Sequence, residues 1–359
     1  MKEKLHHIHL VLFIYSIQFG VTIFSLPGIL AREFGTNGWI AIFLIFFVVL
    51  LGIFLIGACY RLSDGDFLST LETSLPGFLS SSLFLVLAVI WSLYGCVIGK
   101  QYIMIFQMIT FPTTSPMLLK LAFAVLTYLL VIKGLYNISK ISTIIFFITI
   151  WMLVLLVYPF QEMDLSRYTP FFFKDGGHWT RGSISVFASF LGYELSLLFF
   201  PFVNKESKFV RSLILGSLVT TLIYGIICVV CFGFFGYTYL KVLLFPFMDL
   251  LSNVELPFVQ RIENLLFALF FFKVLITVVL YYWGAKECAK RVFKKTNEKR
   301  ISFVIVTLTY LISFYFQTMD DVNSWLMKLS NIEAAVCFLL PLLGIALLLY
   351  RKRKREYYG

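Results

Sequence analysis

Charged side chains are scarce: 14% of the 359 residues, with 19 acidic against 30 basic, while 60% are hydrophobic and the mean hydropathy is +0.90. That balance excludes an ordinary soluble domain and points to a polytopic membrane protein. Histidine is rarer still. Of the 4 histidines, His6, His7 and His9 cluster, but no cysteine or carboxylate group stands beside them to complete a metal coordination sphere. The 6 cysteines fall almost entirely within apolar runs and read as small buried hydrophobes, so no disulfide framework is expected. Cys228 and Cys231 have redox-motif spacing without the βαβ context that such chemistry uses. There is no Gly-x-Ser-x-Gly elbow, no His-Glu-x-x-His and no phosphate-cradling glycine loop. An enzyme, a catalytic residue, a metal and a cofactor are all unexpected on these grounds.

What the chain does have is long apolar runs. A bilayer core of about 30 Å takes roughly 20 helical residues per crossing. Ten crossings are predicted near 9–31, 38–60, 79–109, 117–136, 140–160, 183–203, 211–236, 258–283, 300–317 and 325–350. The expected fold class is an all-α integral membrane protein forming a single membrane domain over 1–359. Residues 9–160 and 183–350 would be two repeats of five helices each, and 351–359 a basic tail. The stretch Leu243–Glu263, with Asp249, Glu255, Pro257, Arg261 and Glu263, is placed outside the bilayer.

Two thirds of the 30 lysines and arginines fall in segments that are cytoplasmic if the N-terminus is inside. Lys100 and Lys273 alone are assigned to the spans, and Lys120 to an outer segment. The positive-inside rule therefore puts both termini in the cytoplasm. The basic clusters flank membrane ends and lack an aromatic or glycine-rich context. They fit anionic lipid rather than nucleic acid. Arg351-Lys352-Arg353-Lys354-Arg355 reads as a stop-transfer anchor.

Two spans are interrupted in corresponding places: the first at Gly20 to Gly28, with Thr22, Ser25 and Pro27, and the sixth at Leu191-Gly192-Tyr193-Glu194-Leu195-Ser196 with Pro201. Lipid cannot satisfy the backbone groups that a broken helix frees, so such breaks line an enclosed cavity or hold a ligand. Breaks in equivalent spans of two halves suggest an inverted-repeat transporter. Backbone at Thr22, Ser25, Gly28 and Gly192 is expected to approach a small zwitterion. Tyr94, Gly95, Ile98 and Gly99 of span three, with Tyr193, Phe272 and Thr277, are expected to shape the side-chain pocket.

Charges inside spans are costly, about 2.5–3.5 kcal/mol each on insertion scales, and usually face a cavity or a partner. Glu194, Lys273 and Lys100 qualify. Glu194 is a proton carrier, a partner for a ligand amine or half of a structural ion pair, and either lysine is its candidate counter-charge. Glu333, near a span end, is expected to reach the interface.

The chain is similar to the endospore germination permeases, the B subunits of nutrient germinant receptors, within the amino acid, polyamine and organocation transporter superfamily. The resemblance covers nearly the whole chain. It rests on the length and span layout, Gly20 through Pro27, Asn37-Gly38-Trp39-Ile40, Tyr168-Thr169-Pro170 with Gly176-Gly177, Phe190-Leu191-Gly192-Tyr193-Glu194 with Pro201, and Pro257 through Phe267 with its Arg261-x-Glu263. It implies a leucine-transporter-like 5+5 inverted repeat with helices 1 and 6 broken, and a ligand between spans one, three, six and eight. It further implies an amino-acid-like nutrient, partnership with an A-type subunit and a C-type lipoprotein subunit, and residence in the spore inner membrane. Related proton-coupled transporters carry a lysine in span five, and Ser142–Tyr158 here has none. The expected function is therefore germinant sensing in a receptor complex. A proton-coupled amino acid transporter and an ion-conducting subunit are the alternatives.

Overall fold

A computed structural model of the protein describes residues 4–63, 65–171, 173–203, 208–254 and 262–358. Its described residues fold into helices and connecting turns. In chain order these are α1 (His7–Gln18), α2 (Leu26–Phe34), α3 (Ile40–Leu62), α4 (Phe67–Ser74), α5 (Gly77–Thr110), α6 (Pro116–Val131), α7 (Leu135–Ile150) and α8 (Val157–Gln161). There follow α9 (Trp179–Ala188), α10 (Phe209–Phe235), α11 (Tyr237–Leu240), α12 (Pro246–Ser252), α13 (Ile262–Val292), α14 (Glu298–Ile312) and α15 (Met319–Tyr358). Tight 3-10 turns occupy Val21–Phe24 after α1, Trp151–Leu156 between α7 and α8, and Tyr193–Phe202 after α9.

Seven segments among the described residues are long and apolar enough to cross a membrane: Ile40–Leu62, Gly77–Thr110, Leu135–Gln161, Trp179–Phe202, Phe209–Phe235, Asn264–Val292 and Met319–Arg353. The remaining expected spans differ from full crossings for local reasons. The first is divided into α1 and α2. α6 has 16 residues and α14 has 15, each about 24 Å or less at 1.5 Å per residue, short of the bilayer core. Of the seven, the segment for the eighth expected span runs later than expected, through Val292, and the last continues unbroken from Met319 into the basic tail. Pro257–Arg261 lie outside the described residues, as does the side chain of Glu263, so the motif preceding span eight has no structural account.

Helix starts follow from capping chemistry. The Asp66 carboxylate accepts from the N–H groups of Leu68 and Ser69 at the head of α4, and Pro116 and Pro246 stand in the first turns of α6 and α12. α13 and α5 form the most extensive pairing. α1 packs against α10, α7 and α13, and α15 against α3 and α5. The outer faces carry Phe47, Leu51 and Phe54 of α3, Phe147 of α7 and Phe303 of α14, all exposed, as a lipid-facing surface requires. Asn37 donates to the Tyr168 carbonyl at 3.1 Å, so two of the sequence segments on which the resemblance rests meet in the fold.

α4 is tied to the end of α13 by charge. Arg291 reaches Asp66 at 2.5 Å and Glu72 at 3.0 Å, and Lys294 reaches Glu72 at 2.6 Å. Partial burial pushes the Asp66 carboxyl upward, but the Ser69 hydroxyl and the Arg291 guanidinium outweigh it and hold the group below the ordinary carboxylate range. The Lys294 ammonium, with Arg291, holds Glu72 down as well. A depressed carboxyl contributes stability above its unfolded value and loses it as pH falls through the folded one. The latch is thus complete at neutral pH and opens only in acid. Arg291→Ala is expected to destabilise the docking of α4 by about 1 kcal/mol, because the groups are partly exposed. Amide exchange over 66–74 should rise. Arg291→Lys should recover little, since an ammonium lacks the two-pronged fork.

Candidate functional site

The two interrupted spans touch where they break, and side chains cap the backbone groups they free. At the end of α1 the Thr277 hydroxyl of α13 donates to the Ile17 carbonyl at 3.2 Å. The Gln18 carbonyl accepts from the Tyr224 hydroxyl of α10 at 2.7 Å and from the Gly20 N–H at 2.9 Å. At the end of α9 the Gln18 side chain donates to the Phe190 carbonyl at 3.0 Å, and Tyr224 also reaches the Ser189 carbonyl at 3.4 Å. Gln18 donates further to Ser217 at 3.0 Å. Gln18 and Tyr224 each touch both breaks, so the breaks are one hydrogen-bonded unit. Unpaired groups at this depth would cost several kcal/mol each.

Gly192 packs directly on Ile17. Its φ of +115° is left-handed, and a Cβ there would stand 2.1 Å from the Ile17 Cγ2. Gly20, by contrast, has no heavy atom within 4 Å of where a Cβ would lie. The open volume beside the breaks is therefore at the Gly20 side.

A cavity of about 20 Å³, roughly one water's worth, adjoins the end of α1 and is walled by residues including Tyr15, Phe19, Thr149, Phe270 and Lys273. The Lys273 Nζ lies over the rings of Tyr15 at 4.2 Å, Phe19 at 5.3 Å and Phe146 at 5.6 Å. Among the described residues it has no hydrogen-bond acceptor. Three aromatic faces thus hold a buried cation whose donors are unused.

Glu194 opens the 3-10 stretch and is fully buried. Its Oε1 accepts from the Tyr281 hydroxyl at 2.9 Å. Its Oε2 accepts from the Gly192 N–H at 2.7 Å and from the Cys337 thiol at 3.3 Å. Neither candidate lysine is its counter-charge, because Lys273 sits among aromatic rings and the Lys100 Nζ contacts the Met117 sulfur at 3.2 Å. The Glu194 carboxyl instead adjoins that of Glu333 of α15. Glu333 does not reach the interface. It is fully buried and accepts from the Trp91 indole at 2.9 Å.

The expected pocket residues divide. Gly192, Tyr193, Glu194 and Thr277 gather at the breaks. The Thr22 carbonyl accepts from both the N–H and the hydroxyl of Ser25, so the polar groups of that turn serve each other. Gly28 packs against the Leu240 and Leu243 carbonyls, where a Cβ would come within 3.1–3.2 Å. Tyr94 meets Ser330 at 3.3 Å and crosses the Tyr281 ring edge-on. Ile98 is buried beside it on α5 and does not wall the cavity. Gly99 faces α6 and leaves room for Lys120, whose Nζ would be 2.6 Å from a Cβ there. Phe272 is 45% exposed on the outer face of α13, so it does not line the site. Successive residues of a helix point about 100° apart, and Phe270 and Lys273 take the inner face. Lys120 is also corrected: it is buried and donates to the Cys96 carbonyl at 3.3 Å, not part of an outer loop.

Gln18, Tyr224, Tyr281, Trp91 and Glu333 were not expected. A signal for the last existed in the polar stripe Ser330, Glu333 and Cys337, spaced three and four apart on one helix face.

Two solved structures share this architecture. The closed form of Mhp1, a nucleobase-cation-symport-1 family transporter with bromovinylhydantoin bound, superposes with a TM-score of 0.69 at 12% identity, covering 96% of this chain and 78% of that one. MhsT in complex with L-phenylalanine gives 0.67 at 14% identity, covering 97% and 89%. In sequence, spore germination protein GerQB of Bacillus cereus is 23% identical over 310 residues, 86% of each chain. Spore germination protein B2 of Bacillus subtilis (strain 168) is 23% identical over 334 residues, 89% of each. The family described as spore germination protein matches residues 4–322. A multi-pass helical membrane protein with a transporter-like fold and this match over most of its length belongs to the spore germination permease family.

Proposed function

We propose that the protein is the nutrient-sensing membrane subunit of a germinant receptor, and that it takes an amino-acid-like ligand where spans one and six break. In this reading it assembles with an A-type subunit and a C-type lipoprotein in the spore inner membrane, both termini cytoplasmic. Residues 9–160 and 183–350 are its inverted repeats of five. The observation that carries the reading is the meeting of the two broken helices beside a cavity whose lining cation, Lys273, has no hydrogen-bond partner among the described residues. A ligand carboxylate is the natural acceptor, and an ammonium placed among aromatic rings supplies selectivity for it. The cavity is smaller than an amino acid, so binding entails widening at the Gly20 side.

Spores carrying Gly20→Val test the placement. Because nothing occupies the space a side chain would fill, the variant should reach the membrane at normal levels. Its dipicolinate release in response to single amino acids should need at least roughly tenfold more nutrient, equivalent to about 1.4 kcal/mol. A normal response in Gly20→Val spores, set against loss of response in spores lacking the gene, would remove the ligand from this place. Unchanged release without the gene would overturn the sensing role. The buried carboxyls and Lys273 also suit a proton-coupled transporter. Accumulation of nutrient by the isolated protein in vesicles would favour that reading, and ion flux dependent on partner subunits would favour a conducting one.

A further inference from the structure

The meeting of Glu194 and Glu333 is a proton-binding site that the sensing role neither requires nor explains. The two carboxyls come from different parts of the fold, the 3-10 stretch after α9 and the middle of α15, and both are fully buried. Among the described residues, the following groups stand against the pair or against its hydrogen-bond partners. α5 supplies Trp91 and Tyr94, α13 supplies Tyr281, α15 supplies Cys337 and Ser330, and the 3-10 stretch supplies Tyr193 and the Gly192 N–H. Where α3 approaches, at Gly52, it brings no ionisable side chain. No lysine, arginine or histidine is among these groups.

Their hydrogen bonds are distributed unequally. Glu194 accepts from three donors and donates to none of them, the pattern of an ionised carboxylate. Glu333 accepts from the Trp91 indole alone, through Oε1. Among the described residues its buried Oε2 has no hydrogen-bond partner, and Cys337, one turn along α15 from Glu333, donates to Glu194, so the two carboxyls adjoin. An oxygen that is buried, without a donor and next to a carboxylate is satisfied if it carries a hydrogen itself. Two adjacent buried carboxylates without a cation would repel across a low-dielectric interior, which also calls for one proton between them.

We propose that Glu333 is protonated on Oε2 and donates to Glu194, so that the pair stores one proton at the junction of spans three, six, eight and ten. No covalent bond between heavy atoms changes. When the proton leaves, two like charges remain, and they can be accommodated only if the 3-10 stretch and α15 move apart or water enters. Proton release is thereby tied to displacement of the half-helix that begins at Gly192.

Infrared difference spectroscopy of the purified full-length protein in lipid tests the site without reference to any nutrient, so its failure is separate from failure of the sensing role. The wild-type protein should show the carbonyl stretch of a buried protonated carboxylic acid at neutral pH, slow to shift in heavy water. Glu333→Gln should abolish that band. Glu194→Gln should leave it but move it to higher frequency, because the strong hydrogen bond to a carboxylate is gone. Trp91→Phe, which removes only the Oε1 partner, should shift it too, and keeps the test open if Glu333→Gln does not fold. Absence of the band in the wild type, its persistence in Glu333→Gln, or its indifference to both Glu194→Gln and Trp91→Phe would overturn the assignment.

Discussion

Gly192→Ala is expected to lower the amount of folded protein in the membrane more than any other single methyl addition at the breaks. The left-handed backbone at this residue costs a side-chain-bearing residue about 1–2 kcal/mol. The new methyl would lie 2.1 Å from the Ile17 Cγ2, far inside contact distance, and overpacking adds about 1–3 kcal/mol. The sum, about 2–5 kcal/mol, is comparable with the whole stability of many domains. Ile17→Ala alone leaves a hole and should also destabilise, by about 2–5 kcal/mol. The double variant should cost clearly less than the two singles together, because each change removes the other's problem. Thermal unfolding of all four proteins in detergent measures this. Strict additivity would mean that the two breaks do not touch at Gly192. The bulkier Gly192→Leu is for the same reason a poor probe of ligand binding, since it would act through folding, and Gly20 is the better position.

Lys273→Met should make the protein more stable and less responsive at once. A cation buried without a counter-charge carries a desolvation cost of several kcal/mol, only about 2 kcal/mol of which the aromatic faces return. Methionine keeps most of the shape and removes the charge. Its melting temperature should therefore rise. If Lys273 receives a ligand carboxylate, the variant loses a charge-assisted hydrogen bond of about 1.5–3 kcal/mol, and the nutrient needed for half-maximal dipicolinate release should increase tenfold or more. A stabilised protein with an unchanged nutrient response would take Lys273 out of the site. A destabilised one would show that the ammonium is held by more than the three rings.

The fold class was legible because apolar runs of bilayer length are a strong signal, and the breaks because glycine and proline punctuate helices wherever they occur. Gly20, Pro27, Gly192 and Pro201 announced them correctly. The partners of the breaks were not legible. Gln18, Tyr224 and Thr277 lie 172, 206 and 260 residues along the chain from the carbonyls they cap, and nothing local tells a tyrosine that caps a carbonyl from one that packs. The two carboxyls were separable only by depth. Glu194 lies at a break and drew notice. Glu333 is only 14 residues into a helix of 40 and was read as near a membrane end, because the last helix begins earlier than its hydropathy suggests. The lysines misled in the opposite direction: opposite charges in apolar spans invite pairing, yet aromatic faces and a methionine sulfur hold these cations instead.

The stretch Tyr193–Phe202 is wound with three residues per turn along ten residues. Such a coil rises about 2.0 Å per residue against about 1.5 Å in an α-helix. Rewinding it into α form would shorten it by about 5 Å and turn its later side chains around the axis. Glu194 stands near one end, bonded to Gly192. Phe202, whose carbonyl accepts from the Leu5 N–H at 2.7 Å, stands at the other. A change of length along this stretch would therefore be felt by the segment that precedes α1.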